Sequence, residues 1–434
     1  MSNAHLSIVE GLQLEVHPGR VEMYEELHNR PSPLVESPCF ITHFALLTGE
    51  QGHQQDWAMV NELCQRFGVN PPGVKATCFY QTFGGFELRW ERHTEFSTFT
   101  FIRPMETDAE GDALSFVPKE WLKKLPGQLV VALHMQVRNE EWTPQAEQHF
   151  FENQRVAGSQ VANNKAKVLT SFRLHSDGFG RFLVLNMGLN NYQTGRLVQR
   201  LLELETYRLL ALLGLPLARG MSSEVSAMEA QLTNLNHQIT QIRNEADERI
   251  MLHDLSVLAA QVEQCRSDTN YRFAATFAYH DIVSKRLDKV FEQHISGLQT
   301  MREFLERRLG PGIKTCYAVR DRLEDLSRRI HRTTSLLRTR VEVSIESQNQ
   351  KLLTSMDRRS SLQLRLQQTV EGLSVVAIAY YMMGLLGYVF EALAAMGLHI
   401  NKPVYTGLSV PLVLFLVWWG VHRVKVRISR SDAS

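Results

Sequence analysis

Two short stretches gather the residue types that acid–base or metal chemistry uses. Glu26-Leu27-His28-Asn29-Arg30-Pro31 and Trp90-Glu91-Arg92-His93-Thr94-Glu95 each set a histidine among carboxylates and guanidinium groups. An imidazole beside a carboxylate can shuttle a proton near neutral pH or ligate a metal. Both chemistries ask for a defined spacing, such as two histidines one helical turn apart with a glutamate between, or a serine on a glycine-flanked elbow; neither stretch has it. No Walker loop occurs, and Gly178-Phe179-Gly180 stands before a strand, the wrong context for a phosphate cradle. His28 and His93 therefore read first as turn or core residues. No catalytic residue is assigned, and an enzyme is the weakest class.

A different chemistry is written near the C-terminal end. Ser374, Ala377, Tyr381, Gly384, Tyr388 and Glu391 recur at steps of three and four, so on a helix they share a face. In an oligomer such a stripe would line a pore, and Glu391 would give a carboxylate ring that gathers cations; in a lone chain Glu391 simply reaches the outer interface, and both readings stand. Gly384 and Gly387, three residues apart, offer a small surface on which another helix can pack. Arg358, Arg359 and Arg365 precede this segment, and Arg423, Lys425 and Arg427 follow the next one. These membrane-proximal cations suit anionic headgroups, at about 1 kcal/mol each near the surface. In an oligomer the arginines before the segment would instead form stacked basic rings.

The segments that carry these residues are two apolar runs, Leu373 to Phe390 and Val404 to Val421. Each is about eighteen residues long, or about 27 Å as a helix, close to the hydrocarbon thickness of a bilayer. They predict transmembrane helices at about 373–397 and 404–422 within a hairpin domain of residues 372–434. The loop between them carries one cation, Lys402, whereas basic residues flank the other ends, which places both termini in the cytoplasm. Trp418 and Trp419 sit where indoles favour the headgroup level. No basic segment followed by an apolar one opens the sequence, so no signal peptide is expected and the body stays unexported.

Residues 1–190 read as a cytoplasmic α/β domain. Strands are expected at Cys39–Leu47, Val74–Thr82, Phe86–Arg92, Glu95–Arg103, Leu129–Arg138, Lys167–His175 and Arg181–Met187, forming one mixed sheet of about seven strands. Phe86–Arg92 and Glu95–Arg103 form a hairpin, and the alternation of Phe86, Leu88, Trp90, Phe99 and Phe101 predicts one buried face and one wet face. Helices are expected at Gln54–Arg66, Pro118–Lys124 and Pro144–Asn153, the last capped by Thr143. Residues 191–371 read as a long-helix coiled-coil stalk. Val225, Met228, Leu232, Leu235, Ile239 and Ile242 step by three and four. A turn is expected at Arg266-Ser267-Asp268-Thr269-Asn270, a second helix ends at Gly310-Pro311-Gly312, and a third runs from Ile313 for roughly 90 Å into the first span. The fold class is α+β with a helical stalk and two C-terminal membrane helices.

Composition sets few further limits. The 434 residues carry a formal net charge of +1, which gives no ground for nucleic-acid binding. Five scattered cysteines, Cys39, Cys64, Cys78, Cys265 and Cys316, fit free thiols in a reducing compartment.

Four segments carry a resemblance: ELHNRP at 26–31, WERHTEFST at 90–98, GRLVQRLLELETYRLLALLGLPLAR at 195–219 and LQLRLQQTVEGLSVVAIAYY at 362–381. Together they resemble an uncharacterised family of bacterial membrane-anchored proteins across nearly the whole chain, which implies a bacterial inner membrane and no known activity. The order of parts is also similar, distantly, to the CorA-type magnesium transporters, homopentamers whose first membrane helices line the pore. Their Gly-Met-Asn signature at the outer mouth is missing: Gly387-Tyr388-Val389 stands nearest, and no Asn follows until Asn401. The expected function is thus a homo-oligomeric cation channel or transporter in the lipid bilayer, a pentamer if CorA-like, gated by its cytoplasmic domain. The alternative is a membrane-anchored coiled-coil scaffold or sensor without transport. No cofactor is expected; a divalent cation of unknown identity enters only through the resemblance, and no metal ligand is assigned.

Overall fold

The computed structural model describes residues 17–20, 23–24, 33–49, 53–105, 111–140, 142–242, 244–396 and 401–431. The Glu26–Pro31 stretch and residues 397–400 of the expected outer loop lie outside the described residues. Two compact units divide the chain: residues 1–243 with 249–334, and residues 244–248 with 335–434.

The first unit is built on a sheet of nine described strands: β1 Cys39–Leu47, β2 Cys78–Phe83, β3 Phe86–Arg92, β4 Phe96–Pro104, β5 Gln128–Arg138, β6 Ala157–Val161, β7 Ala166–Thr170, β8 Gly180–Asn186 and β9 Gln293–His294. Their order is β2-β3-β4-β1-β5-β8-β7-β6-β9. The pair β5–β8 is parallel and the other ladders are antiparallel, so the sheet is mixed as the sequence implies. Two strands more than the sequence announces are present. The β6 segment Ala-Gly-Ser-Gln-Val is short and poor in bulky residues, and the two-residue β9 falls inside a stretch whose period reads as helix.

Helices cover both faces of the sheet. On one face α1 His53–Phe67 and α2 Lys119–Leu122 close a core of Phe40, Phe44, Leu63, Leu88, Trp90, Phe99, Phe101 and Trp121. The Trp121 indole donates to the Met59 carbonyl at 2.8 Å, so α2 is tied to α1 by a buried bond. Farther along the same unit α3 Pro144–Phe150 starts at Thr143, whose hydroxyl accepts from the Ala146 amide at 3.3 Å as the capping pattern requires. On the opposite face α4 Asn191–Leu212 packs Leu197, Val198, Leu201 and Leu204 against Ile41, Leu133 and Val184. Its Asn190 and Gln193 form a reciprocal capping box. Because α4 covers that face, β4 is buried along both faces, and the wet face expected of the β3–β4 hairpin is reduced to partly exposed Glu87 and Glu91 of β3. Alternation of polar and apolar residues looks the same whether the polar face meets water or a polar-lined helix.

Long helices follow: α5 Gly214–Ile239, α6 Glu245–Val290, α7 Met301–Arg308 and α8 Gly310–Ala395. In the first unit Val225, Leu232, Leu255, Leu258, Val262, Val319, Leu323 and Leu326 are all buried, the outcome expected of a heptad seam. Polar contacts join the same helices: Arg322 reaches Glu229 at 2.8 and 3.0 Å, and Thr333 reaches Asn236 at 3.1 Å. Gly214, the first residue of α5, is required by close packing, since a Cβ there would lie 2.4 Å from the Thr276 hydroxyl.

Two expectations about the stalk are corrected. The polar run Arg266–Asn270 makes no turn, because helix-internal bonds satisfy it: the Thr269 hydroxyl donates to the Cys265 carbonyl at 2.8 Å and Gln264 to Asp268 at 2.8 Å. The break lies instead between α5 and α6. The expected second helix is interrupted after Val290 and resumes as α7, which ends at Arg308; Gly310-Pro311-Gly312 then opens α8, where a proline in the first turn loses no bond.

The second unit comprises the remainder of α8 and α9 Lys402–Ser431, which joins it through the cluster Ala379, Val413 and Val417. The described helices include two long and apolar enough to cross a membrane, and only 6% and 11% of their most apolar windows is buried inside the chain. Core helices of a soluble protein would be mostly buried, so these two carry exposed apolar surface that needs a cover.

Candidate functional site

The apolar hairpin distributes its residues in a way that sequence spacing cannot reveal. Val375, Ala379, Met383 and Leu386 form the face of α8 that meets Val413, Val417 and Val421 of α9. With about 100° between successive helical residues, Ser374, Ala377, Tyr381, Gly384, Tyr388 and Glu391 fall on the opposite side. All six are exposed in the single chain. The Ser374 hydroxyl donates to the Val370 carbonyl at 2.8 Å, so the polarity it offers is mainly its oxygen. A Cβ at Gly384 or Gly387 would meet nothing within 4 Å. The hairpin's own packing thus runs through Ala379 and leaves both glycines for a contact outside the chain. Arg358, Arg359 and Arg365 are exposed along α8, and the Arg423 guanidinium lies 4.7 Å from the centre of the Trp419 ring. Lys425 and Arg427 fall in α9, which continues through the expected tail to Ser431.

In the first unit the Trp90–Glu95 stretch leads into a polar cavity. Strand register aligns Arg89 of β3, Thr100 of β4 and His43 of β1 in one rung, with Glu91 opposite Thr98 in the next. All five point to the face that α4 covers. His43 bridges two elements: one ring nitrogen bonds the Thr100 hydroxyl at 2.8 Å and the other the Thr206 hydroxyl of α4 at 2.9 Å. Burial, reinforced by His93 and Arg89 nearby, pushes its pKa down to about 3, so the imidazole is neutral and donates through one nitrogen only. Arg89 pairs with Glu91 at 2.9 Å, and Arg286 of α6 pairs with Glu203 of α4. These residues, with Phe96, Val198 and Leu202, enclose about 280 Å³. His93 stacks on Phe96 with ring centres 4.2 Å apart while its backbone closes the β3–β4 turn, so it is a turn residue that also walls the cavity.

Beside the cavity, Glu95 is a buried clamp. Its carboxylate takes two bonds from Arg272 of α6 at 2.8 and 3.1 Å, one from Tyr279 at 2.6 Å and a longer one from Tyr271 at 3.3 Å. Burial by itself would raise its pKa, but the bonds from Arg272 and Tyr279 and the Arg272 charge outweigh it and hold the carboxyl below the ordinary 4.5. The Tyr279 phenol is pushed upward by burial and by donating to that carboxylate.

Spacing flagged Glu91, His93 and Glu95 but missed Arg89, His43 and Thr206. The only local signal was a charged Arg89 within an apolar alternation; the rest comes from strands and a helix far apart in sequence. Among the described residues no group of three or more His, Cys, Asp or Glu side chains is placed to hold a metal ion.

This geometry defines a class: an α+β protein whose mixed sheet is followed by long helices, the last two with segments apolar enough to cross a bilayer. Within it, the chain belongs to the family described as protein of unknown function (DUF3422), whose model matches residues 15–428. The expectation of an uncharacterised family is met at that level. No curated protein and no solved structure matches the chain.

Proposed function

We propose that the protein spans the bacterial inner membrane with the apolar parts of α8 and α9, assembles as a homo-oligomer through the side of α8 opposite α9, and conducts a cation along the shared axis. The observation that carries this reading is the placement of Ser374, Tyr381, Gly384, Tyr388 and Glu391 away from the residues that hold α9. Two spans cannot enclose a pore in one chain, so conduction needs copies, and a helix with one side occupied by its own hairpin partner has the other available. Small residues at Ala377, Gly384 and Gly387 permit close approach between copies, and Glu391 supplies negative charge that favours cations over anions. Without a Gly-Met-Asn mouth, the carboxylate replaces carboxamide oxygens as the selecting group, which does not favour hydrated magnesium in particular. Basic flanks place both termini in the cytoplasm. The sheet-bearing unit then stands on the cytoplasmic side as the regulator, and no reaction is assigned to it.

The test is cation flux into liposomes containing the purified full chain. The reading expects flux that Glu391→Gln reduces several-fold; oligomers that pass no cation refute conduction and leave a membrane-anchored scaffold or sensor, whose supporting feature is the ligand-sized cavity against α4.

A further inference from the structure

The cavity between α4 and the β3–β4–β1 end of the sheet is not used by the proposed transport, and two of its wall groups are unfinished. Arg89 is 4% exposed, and while one terminal nitrogen holds Glu91 at 2.9 Å, its Nε–H has no partner among the described residues. Thr98, also 4% exposed, carries a hydroxyl with no partner among the described residues. Both lie on the same face, since Glu91 pairs in register with Thr98 and Arg89 with Thr100, so the unsatisfied donor and hydroxyl open into one space. A folded core rarely leaves two such groups unpaired side by side, because each gives up its bonds to water on burial.

The rest of the wall limits what can satisfy them. Two guanidinium groups, Arg89 and Arg286, face two carboxylates, Glu91 and Glu203, so the charges balance. A bare anion would meet the two carboxylates and a bare cation the two guanidinium groups; a molecule bearing both signs completes both. The space, about 280 Å³, lies at the lower bound of small-molecule sites, so the occupant is small. The apolar side chains of Val198, Leu202 and Phe96 leave part of the wall for a hydrocarbon group.

We infer that this cavity binds an amino-acid-sized zwitterion, whose carboxylate accepts from the Arg89 Nε–H and the Thr98 hydroxyl and whose ammonium group faces Glu91 or Glu203. Binding there ties β3 and β4 to α4, beside the links that His43 makes from β4 to α4 and Arg286 makes from α6 to α4. The inference is independent of transport, because it is read from binding alone.

The experiment is thermal melting of the full chain in detergent with each of the common amino acids, using acetate and methylammonium as single-charge probes. At least one amino acid is expected to raise the midpoint roughly 5–10 °C at about 100 times its Kd, with neither single-charge probe doing so. Thr98→Val preserves shape and removes the unpaired hydroxyl; it is expected to hold or raise the midpoint without ligand and to weaken binding about tenfold. Arg286→Gln, at a half-buried position, gives a second variant expected to weaken binding if Thr98→Val does not fold. Three outcomes overturn the inference: no amino acid shifts the midpoint, acetate or methylammonium alone reproduces the full shift, or folded Thr98→Val leaves the amino-acid response unchanged.

Discussion

Replacing Glu95 with glutamine isolates the clamp that joins the β3–β4 hairpin to α6. Glutamine keeps the shape and one carbonyl acceptor, which Tyr279 can still use, but turns an amide N–H₂ toward Arg272 where the carboxylate took two bonds. The glutamate side chain is 8% exposed and that of Arg272 23%. Removing one member of a buried pair costs roughly 3–5 kcal/mol because the survivor is left uncompensated, and the water that Arg272 still reaches sets the expectation at about 3 kcal/mol. The melting midpoint of the sheet-bearing unit should fall roughly 6–12 °C. A second substitution, Arg272→Met, should recover most of the loss, since removing both partners leaves no unpaired charge. Acid gives an independent check. The folded carboxyl titrates below its ordinary 4.5, so the clamp contributes fully above that pH and loses its contribution as pH falls through the folded value. The difference between the wild-type chain and Glu95→Gln should therefore be constant above 4.5 and shrink below it. A midpoint within about 2 °C of the wild-type chain, or a difference that grows in acid, would refute the assignment.

His43 should impose an earlier acid sensitivity. Neutral in the fold with a pKa near 3 against an ordinary 6.5, it binds a proton only after unfolding, so stability should fall as pH drops from 6.5 toward 3, by on the order of a few kcal/mol in all. Denaturant midpoints for His43→Asn should show a flatter slope between pH 6.5 and 4.5, where the Glu95 contribution is constant; an unchanged slope contradicts the neutral bridge. In a background without the five native cysteines, Tyr388→Cys should give disulfide-linked dimers between copies on oxidation, whereas Val413→Cys, buried against α8, should not. Equal cross-linking at both positions removes the basis for a shared α8 face.

The sequence-level reading of the elements succeeded where one face alone decides. Cys39–Leu47 and Phe86–Arg92 occupy the expected residues, Thr143 caps its helix, and the two apolar runs are helical. It failed where polarity had two meanings. Arg89, Glu91, Thr98 and Thr100 looked solvated and instead line an interior cavity, because the helix that buries them begins only at Asn191. His43 lies 57 residues from Thr100 and 163 from Thr206, and nothing local marks it as their bridge. The polar run at 266–270 resembles a turn because its residue types also cap helices, and the helix-internal acceptors that satisfy it, such as the Cys265 carbonyl, do not show in composition. In the hairpin, spacing identified the stripe on α8; only the position of α9 established that the stripe lies on the uncovered side.

Conduction along α8 requires copies of the chain to meet through that side. The most direct measurement is the native mass of the purified full-length protein in detergent or lipid discs. Three or more copies per particle are predicted, as an enclosed axis lined by α8 requires; a particle of one or two copies would contradict it.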